Sequence, residues 1–138
     1  MENKETGKDE QKEGKDVAII ATGLCVTSAM EAAEKLAADG IEAKVINIHT
    51  IKPLDEELVI KAAKETGAIV TAENHQVSCG LGSAVANVLV ENCLVPQERV
   101  GIQNRFGQVG PQDFLMKEYN LTAEDIVAAA EKAIARKA

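Results

Sequence analysis

The stretch "AENHQVSCGLGSA", residues 72–84, holds the side chains best suited to chemistry. Glu73 and His75 are a candidate acid and base pair, because imidazole titrates near neutrality and a carboxylate can orient it. Cys79 follows four residues after His75, and a thiolate nucleophile would need that imidazole in contact with it. The spacing secures no such contact. The pattern therefore favours a hydrogen-bonded polar turn or a subunit contact, which would also include Asn74.

Small residues open the helix that is predicted to follow this stretch. Gly80 and Gly82 stand at its start, and backbone amides at a helix N-terminus favour an anion. The dinucleotide fingerprint needs a third glycine and a place after the first strand. This chain has neither, and it has no P-loop lysine motif. The favoured interpretation is that Gly80, Gly82 and Ser83 let the helix approach a neighbouring sheet or subunit closely.

A second site-like feature lies in the C-terminal third. Arg105 is followed by Phe106 and Gly107, and an arginine binds carboxylates and phosphates in a fixed fork. A salt bridge that holds the loop is the simpler interpretation.

The cysteines are predicted to be free thiols. Cys25, Cys79 and Cys93 are widely spaced and form no CxxC pair, which suits a reducing compartment better than a disulfide frame. With only two histidines in the chain, the sequence predicts no metal site.

Alternating strands and helices must position these residues. Short runs rich in β-branched residues, three of them almost continuously apolar, are typical of strands covered on both faces. Ser28 and Glu31 have the spacing of a capping box, and Gly40 and Gly67 are predicted helix stops. A loop over 105–120 is predicted to lead into a short helix from about Pro111. The predicted strands cover residues 17–22, 43–48, 68–72 and 100–104, and the predicted helices cover 28–39, 55–66, 81–92 and 123–136.

This order predicts a doubly wound parallel sheet. Right-handed crossovers place the second strand on one side of the first and the third strand on the other. The loops after strands one and three, residues 22–26 and 73–80, would then line one crevice at the carboxyl ends of the strands. Open α/β sheets tend to place ligands there, so Thr22 and Gly23 join the candidate residues.

Composition and charge limit the classes of function. The chain has 138 residues, a formal charge of -7 and a predicted pI near 4.9, which argues against nucleic acid or an anionic membrane as partner. Residues 1–16 are highly charged and have no apolar residue after Met1. They are predicted to be a disordered lead-in to one domain over 17–138. No apolar run reaches the length of a membrane span, and a cytoplasmic protein is expected.

Four segments carry a family resemblance. "KDVAIIATG", "VINIHTIKPLD", "AIVTAENHQVSCGLGSAV" and "RFGQVGPQDFLMKEYNLTAEDIVAAA" resemble, in this order, the C-terminal domain of transketolase, and in particular its split form with separate N- and C-terminal subunits. The resemblance covers about residues 15–136. It implies a three-layer α/β/α fold with a mostly parallel five-stranded sheet. The fifth strand would lie just before Lys15, where relatives have an apolar strand and this chain has "KDEQKEG". Cys79 stands where relatives commonly have glycine.

The resemblance also implies what the chain does not do alone. In transketolases the N-terminal and middle domains hold thiamine diphosphate and magnesium, so no catalytic, cofactor-binding or metal-ligating residue is assigned here. The chain is expected to be inactive by itself and to serve as scaffold and dimer interface. Its partners would be the other transketolase domains or subunit, in a homodimer or hetero-oligomer. The assembled enzyme of the pentose phosphate pathway would transfer a two-carbon ketol unit between sugar phosphates.

Two alternatives stay open. One is a stand-alone module that binds a small anion or nucleotide, and the other is the matching domain of a 2-oxoacid dehydrogenase component. Similar domains also form the C-terminal part of deoxyxylulose-phosphate synthase. The candidate crevice or interface residues are Thr22, Gly23, Glu73, Asn74, His75, Gly80, Gly82, Arg105 and Phe106.

Overall fold

The computed structural model describes residues 2–3, 8–12, 14–22, 25–48, 56–76, 80–102 and 123–137. The strands are β1 (Glu2–Asn3), β2 (Lys8–Lys12), β3 (Val17–Ala21), β4 (Ala43–Asn47), β5 (Ile69–Gln76) and β6 (Gln97–Ile102). The helices are α1 (Cys25–Ala38), α2 (Glu56–Thr66), α3 (Leu81–Asn92) and α4 (Ala123–Ala135). Among these helices, none combines the length and the apolar character needed to cross a membrane.

The described residues form one six-stranded sheet in the order β1-β2-β4-β3-β5-β6. The last four strands in this order are parallel, with β3 between β4 and β5. The predicted doubly wound arrangement is confirmed, because the second parallel strand lies on one side of the first and the third on the other. β1 and β2 add antiparallel pairs beyond β4, on the edge where the resemblance implies a further strand.

The core lies on both faces of the sheet. Val17, Ile19 and Ala21 of β3 pack with buried residues of α1 and α4. Ala18 and Ile20, which alternate with them, pack with buried residues of α2 and α3. Since all five side chains are fully buried, β3 needs a continuous apolar run. The three-layer α/β/α architecture that the family resemblance implies is confirmed, with six described strands in the sheet where the resemblance implies five.

Helix ends follow the predicted stops more closely than the predicted starts. Gly40 and Gly67 have φ values of 81° and 74°, a conformation that favours glycine, and they end α1 and α2 as expected. The capping box at Ser28 and Glu31 is wrong, because α1 already begins at Cys25. The amide of Cys25 donates to the carbonyl of Thr22 at 3.1 Å, which connects the first residue of α1 with the residue that follows β3.

Two strands are longer than their local sequence predicts. β5 continues to Gln76, so the prediction that a loop begins at Glu73 is wrong. β6 begins at Gln97 instead of residue 100. In both places polar residues belong to a strand, and pairing between the two strands extends to Gln76 opposite Ile102. The predicted loop over 105–120 and its short helix lie outside the described residues.

The structure describes part of the N-terminal segment. Residues 8–12 form β2, inside the region for which the sequence predicts a disordered lead-in. Asp16 is also held, since its amide donates to the carbonyl of Glu42 and its carboxylate accepts from the amide of Glu42 at 2.7 Å. The division of the chain at residue 17 stays a prediction.

Candidate functional site

The carboxyl end of β3 lies beside the middle of β5, which continues beyond it to Gln76. Ala21 is paired with Ala72, and the amide of Thr22 donates to the carbonyl of Ala72 at 3.2 Å. Thr22 itself is only 9% exposed. The helices α1 and α3 both begin just beyond this edge, so two helix N-termini follow two neighbouring strands, as a switch point requires.

Glu73 is the central side chain of this edge. Its carboxylate is 1% exposed and accepts hydrogen bonds from the amides of Leu81 at 2.8 Å and Gly82 at 2.6 Å. These are first-turn amides of α3, which have no partner within the helix, and the positive end of a helix dipole stabilises an anion. The carboxylate therefore occupies the position where an external anion would bind.

Gly80 explains why a distant carboxylate is needed. It is the residue that precedes α3, and it makes no side-chain capping bond. Its φ of 105° and ψ of -146° lie in a region that only glycine adopts readily. A serine or aspartate cap would be strained here, so the cap comes from Glu73 of β5 instead.

Gly82 gives α3 a close contact with the sheet of its own chain. A Cβ atom at this position would lie 3.1 Å from Cδ of Arg99 and 3.3 Å from both Oγ1 of Thr71 and Oε2 of Glu73. Gln97 closes the same contact, since its amide nitrogen donates to the carbonyl of Gly82 at 3.0 Å and to the Thr71 hydroxyl at 3.3 Å. The geometry agrees with the interpretation of Gly82 as a close-approach residue.

Cys25 lies near the same carboxylate. Burial raises the pKa of its thiol from an ordinary 9.0 to about 12, and the negative charge of Glu73 adds to this rise. A helix N-terminus usually lowers a thiol pKa, but here desolvation dominates. Cys25 is a protonated, fully buried thiol, unsuited to nucleophilic attack at neutral pH.

The structure brings together some of the predicted candidates. Thr22, Glu73, Gly80 and Gly82 lie at one edge of the sheet, near the ends of β3 and β5. Asn74 and His75 belong to β5, whereas the sequence predicts a loop at these two positions. The remaining candidates, Gly23, Arg105 and Phe106, lie outside the described residues, as does Cys79.

Two contributors were not predicted from the sequence. Thr71 is fully buried in β5, and Gln97 reaches it from β6. The one signal for Thr71 is a hydroxyl within the otherwise apolar run "AIVTA". Gln97 has no local signal, since it lies among other polar residues.

The described residues do not fit thiamine diphosphate. The N-terminus of α3 would be the natural place for its diphosphate, but the Glu73 carboxylate fills that place and would repel a second anion. Across the residues described, no three His, Cys, Asp or Glu side chains form a group that could hold a metal ion. Glu73 is also poorly placed for acid or base chemistry, because both of its oxygens are bound to backbone amides.

The outer face of α3 differs from this buried edge. Val90 is 67% exposed, and Leu94, just beyond the helix, is 78% exposed. They are the large hydrophobic residues that stand out on the surface of the described chain. Exposed apolar surface of this kind is a candidate for a protein contact.

Comparison with known proteins gives a consistent family. The model described as "Transketolase, C-terminal domain" matches residues 7–126. A 6-deoxy-6-sulfo-D-fructose transketolase subunit from Clostridium sp. strain MSTE9 is 54% identical over 91% of this chain and 39% of its own length. A 1-deoxy-D-xylulose-5-phosphate synthase from Geobacter sulfurreducens is 46% identical over 91% of this chain and 20% of its own length. The chain thus spans well under half the length of these relatives.

A solved structure agrees with the sequence relatives. It is described as a split gene transketolase, inactive beta4 tetramer, and it superposes with a TM-score of 0.90 at 48% identity. The match covers 95% of this chain and 43% of the solved chain.

Proposed function

The chain belongs to the transketolase C-terminal domain family, and from that premise we propose that it is the C-terminal part of a split transketolase. The assembled enzyme transfers a two-carbon ketol unit from one sugar phosphate to another. In it, this chain provides scaffold and subunit interface. The relatives that are transketolase subunits or split-gene transketolase support the assignment.

The observation that carries the structural role is the hydrogen bonding of Glu73. At the edge where open α/β sheets place ligands, the Glu73 carboxylate is buried and bound to two amides of its own chain. In the described part of this edge, the α3 N-terminus supports the fold and its first amides are not free to bind an external anion. This favours a scaffold over a stand-alone anion-binding module, and the family match favours transketolase over a 2-oxoacid dehydrogenase component.

Thiamine diphosphate and magnesium belong to the partner in this proposal. The cofactor supplies the carbanion chemistry of ketol transfer when it is bound, and this chain holds the partner domains in place. The chain alone is inactive, and the assembly works in the cytoplasm. The pentose phosphate pathway is the proposed setting.

The test is reconstitution. A transketolase lacking its C-terminal domain is mixed with this chain, and complex formation is followed by size-exclusion chromatography with light scattering. We expect a stable complex and ketol transfer that neither component shows alone. Absence of both a complex and activity would overturn the assignment.

A ligand screen separates the binding-module alternative. Thermal melts of this chain alone against sugar phosphates and nucleotides should show no shift, because the α3 amides are already occupied. A saturable shift that survives high salt would instead favour the module.

A further inference from the structure

The chain between β2 and β3 passes from one side of β4 to the other. β2 pairs with one edge of β4 and β3 pairs with the other edge. The chain between Lys12 and Val17 must therefore cross from one side of β4 to the other. This crossing lies at the start of β4, where Val17 is paired with Ala43.

Gly14 makes the crossing possible. A Cβ atom on this residue would lie 2.6 Å from the carbonyl oxygen of Ala43 and 2.6 Å from the amide nitrogen of Lys44, and closer still to the carbonyl carbon of Ala43. These are backbone atoms of a central strand, so they cannot move aside as a flexible side chain would. Any residue with a Cβ would lift the crossing away from β4.

β2 has a wholly polar sequence. None of the residues of "KDEQK" is apolar. Its pairing with β4 is also irregular between Glu10 and Lys12. Segments held by few apolar contacts open at low free energy, so we expect β2 to detach from β4 more easily than the buried, regularly paired β3.

Detachment of β2 would leave an open edge on β4. The amide of Ile48 donates to Ala21 of β3, and strand residues alternate in direction. The amide of Ile46 therefore also faces β3, whereas those of Val45 and Asn47 face β2. Unpaired amides on an apolar strand are a template for another strand.

We propose that the outer edge of β4 is a docking site for residues 8–12, filled by the same chain in the wild type and by a second copy when the crossing at Gly14 is blocked. The exchanged strand would make the same pairs with β4 that the intact monomer makes, which is the usual basis of strand exchange. This proposal does not depend on the transketolase assignment.

The test uses the full chain and two variants. Gly14→Ala blocks the crossing, and Lys15→Ala, at an exposed neighbour, is the matched control. Hydrogen exchange of single amides is measured by NMR at low and high protein concentration, with sedimentation velocity on the same samples. In Gly14→Ala at low concentration, we expect Val45 and Asn47 to exchange at least about fivefold faster, while Ile46 stays protected.

Concentration distinguishes the second copy from simple release. At high concentration the Gly14→Ala sample should form a dimer beyond any association of the wild type, and Val45 and Asn47 should regain protection. Loss of protection without this dimer would overturn the second copy as occupant. Unchanged protection in Gly14→Ala would overturn the docking site itself, as would residues 8–12 exchanging in the wild type at the rate of an unfolded peptide.

Discussion

Replacing Glu73 by glutamine tests the central contact of the carboxyl edge. The substitution keeps the size of the side chain but removes its charge. One oxygen remains to accept from the amide of Leu81 or Gly82, whereas the new amide group faces the other N–H as a second donor. One buried N–H of α3 then loses its partner, and the other keeps a weaker, neutral bond.

The expected destabilisation follows from these bonds. A hydrogen bond to a charged group contributes about 1.5–3 kcal/mol, and an unsatisfied buried donor costs about 1–3 kcal/mol. The wild type in turn bears the cost of burying a carboxylate that is only 1% exposed, which offsets part of the gain. We expect Glu73→Gln to lower the free energy of unfolding by about 2–4 kcal/mol, a large part of the roughly 5–15 kcal/mol typical of a domain.

Urea unfolding measures the loss, and NMR locates it. Glu31→Gln, at an exposed position of α1, removes the same charge and should change stability by less than about 0.5 kcal/mol. The amides of Leu81 and Gly82 should exchange faster in Glu73→Gln. Acetate should stabilise Glu73→Ala but not the wild type, because the open α3 amides then favour an added anion. Equal stability of the two glutamine variants, with unchanged Leu81 and Gly82 exchange, would refute this account of α3 capping.

Three other features give direct expectations. The pKa of the Cys25 thiol rises from 9.0 to about 12 on folding, so the unfolded chain loses that proton at a lower pH than the folded chain. Wild-type stability should therefore fall relative to Cys25→Ala by up to about 1.4 kcal/mol per pH unit above pH 9. Urea unfolding of both proteins at pH 8–10.5 measures this, and an equal change of stability with pH in the two proteins would contradict it. Gly82→Leu should destabilise the chain by more than about 2 kcal/mol through overpacking against β5 and β6. The control Asn87→Leu, at an exposed position of α3, should not. Equal melting temperatures of the two variants would contradict the close approach of α3 to the sheet at Gly82. The double variant Val90→Lys, Leu94→Lys should keep the melting temperature within a few degrees of the wild type. It should bind more weakly to a transketolase that lacks its C-terminal domain. Unchanged affinity by calorimetry would show that Val90 and Leu94 are not part of the interface.

The architecture was predictable from local patterns. Fully buried parallel strands require nearly continuous apolar runs, and "VAIIA" of β3 is such a run. Gly40 and Gly67 end helices because few other residues adopt a positive φ. The resulting strand and helix alternation leaves few topologies. The places of β4 and β5 on either side of β3 followed from those rules without any knowledge of side-chain contacts.

The strand ends were not predictable in the same way. The segment "ENHQ" has the polar composition of a loop, yet it completes β5 because it lies beside β6. The pairing of Gln76 with Ile102 joins residues far apart in the chain. Local composition cannot encode such a pair, so the predicted end of β5 was too early, and β6 likewise begins at Gln97, before its predicted start at residue 100.

The function of Glu73 shows the same limit. Sequence rules look for a helix cap at the residue before the helix, or three residues apart in a capping box. Glu73 lies eight residues before Leu81, on a strand, and it caps α3 only because β5 and α3 are packed together. The sequence identified the residue as chemically notable, but its role depends on the tertiary fold.

The position of Glu73 links the packing of this domain to its proposed role. An open α/β sheet presents helix N-termini at the carboxyl ends of its strands, and these attract anions whether or not the protein uses one. A domain that serves as scaffold gains by supplying the anion from its own chain, because the helix is then held in every functional state and does not depend on a ligand. Gly80 and Gly82 complete this arrangement, since one allows the turn into α3 and the other allows α3 to lie close enough for both carboxylate oxygens to reach its amides. Glu73, Gly80 and Gly82 should therefore act as one unit, and the destabilisation from Glu73→Gln combined with Gly82→Leu should be smaller than the two separate effects added together.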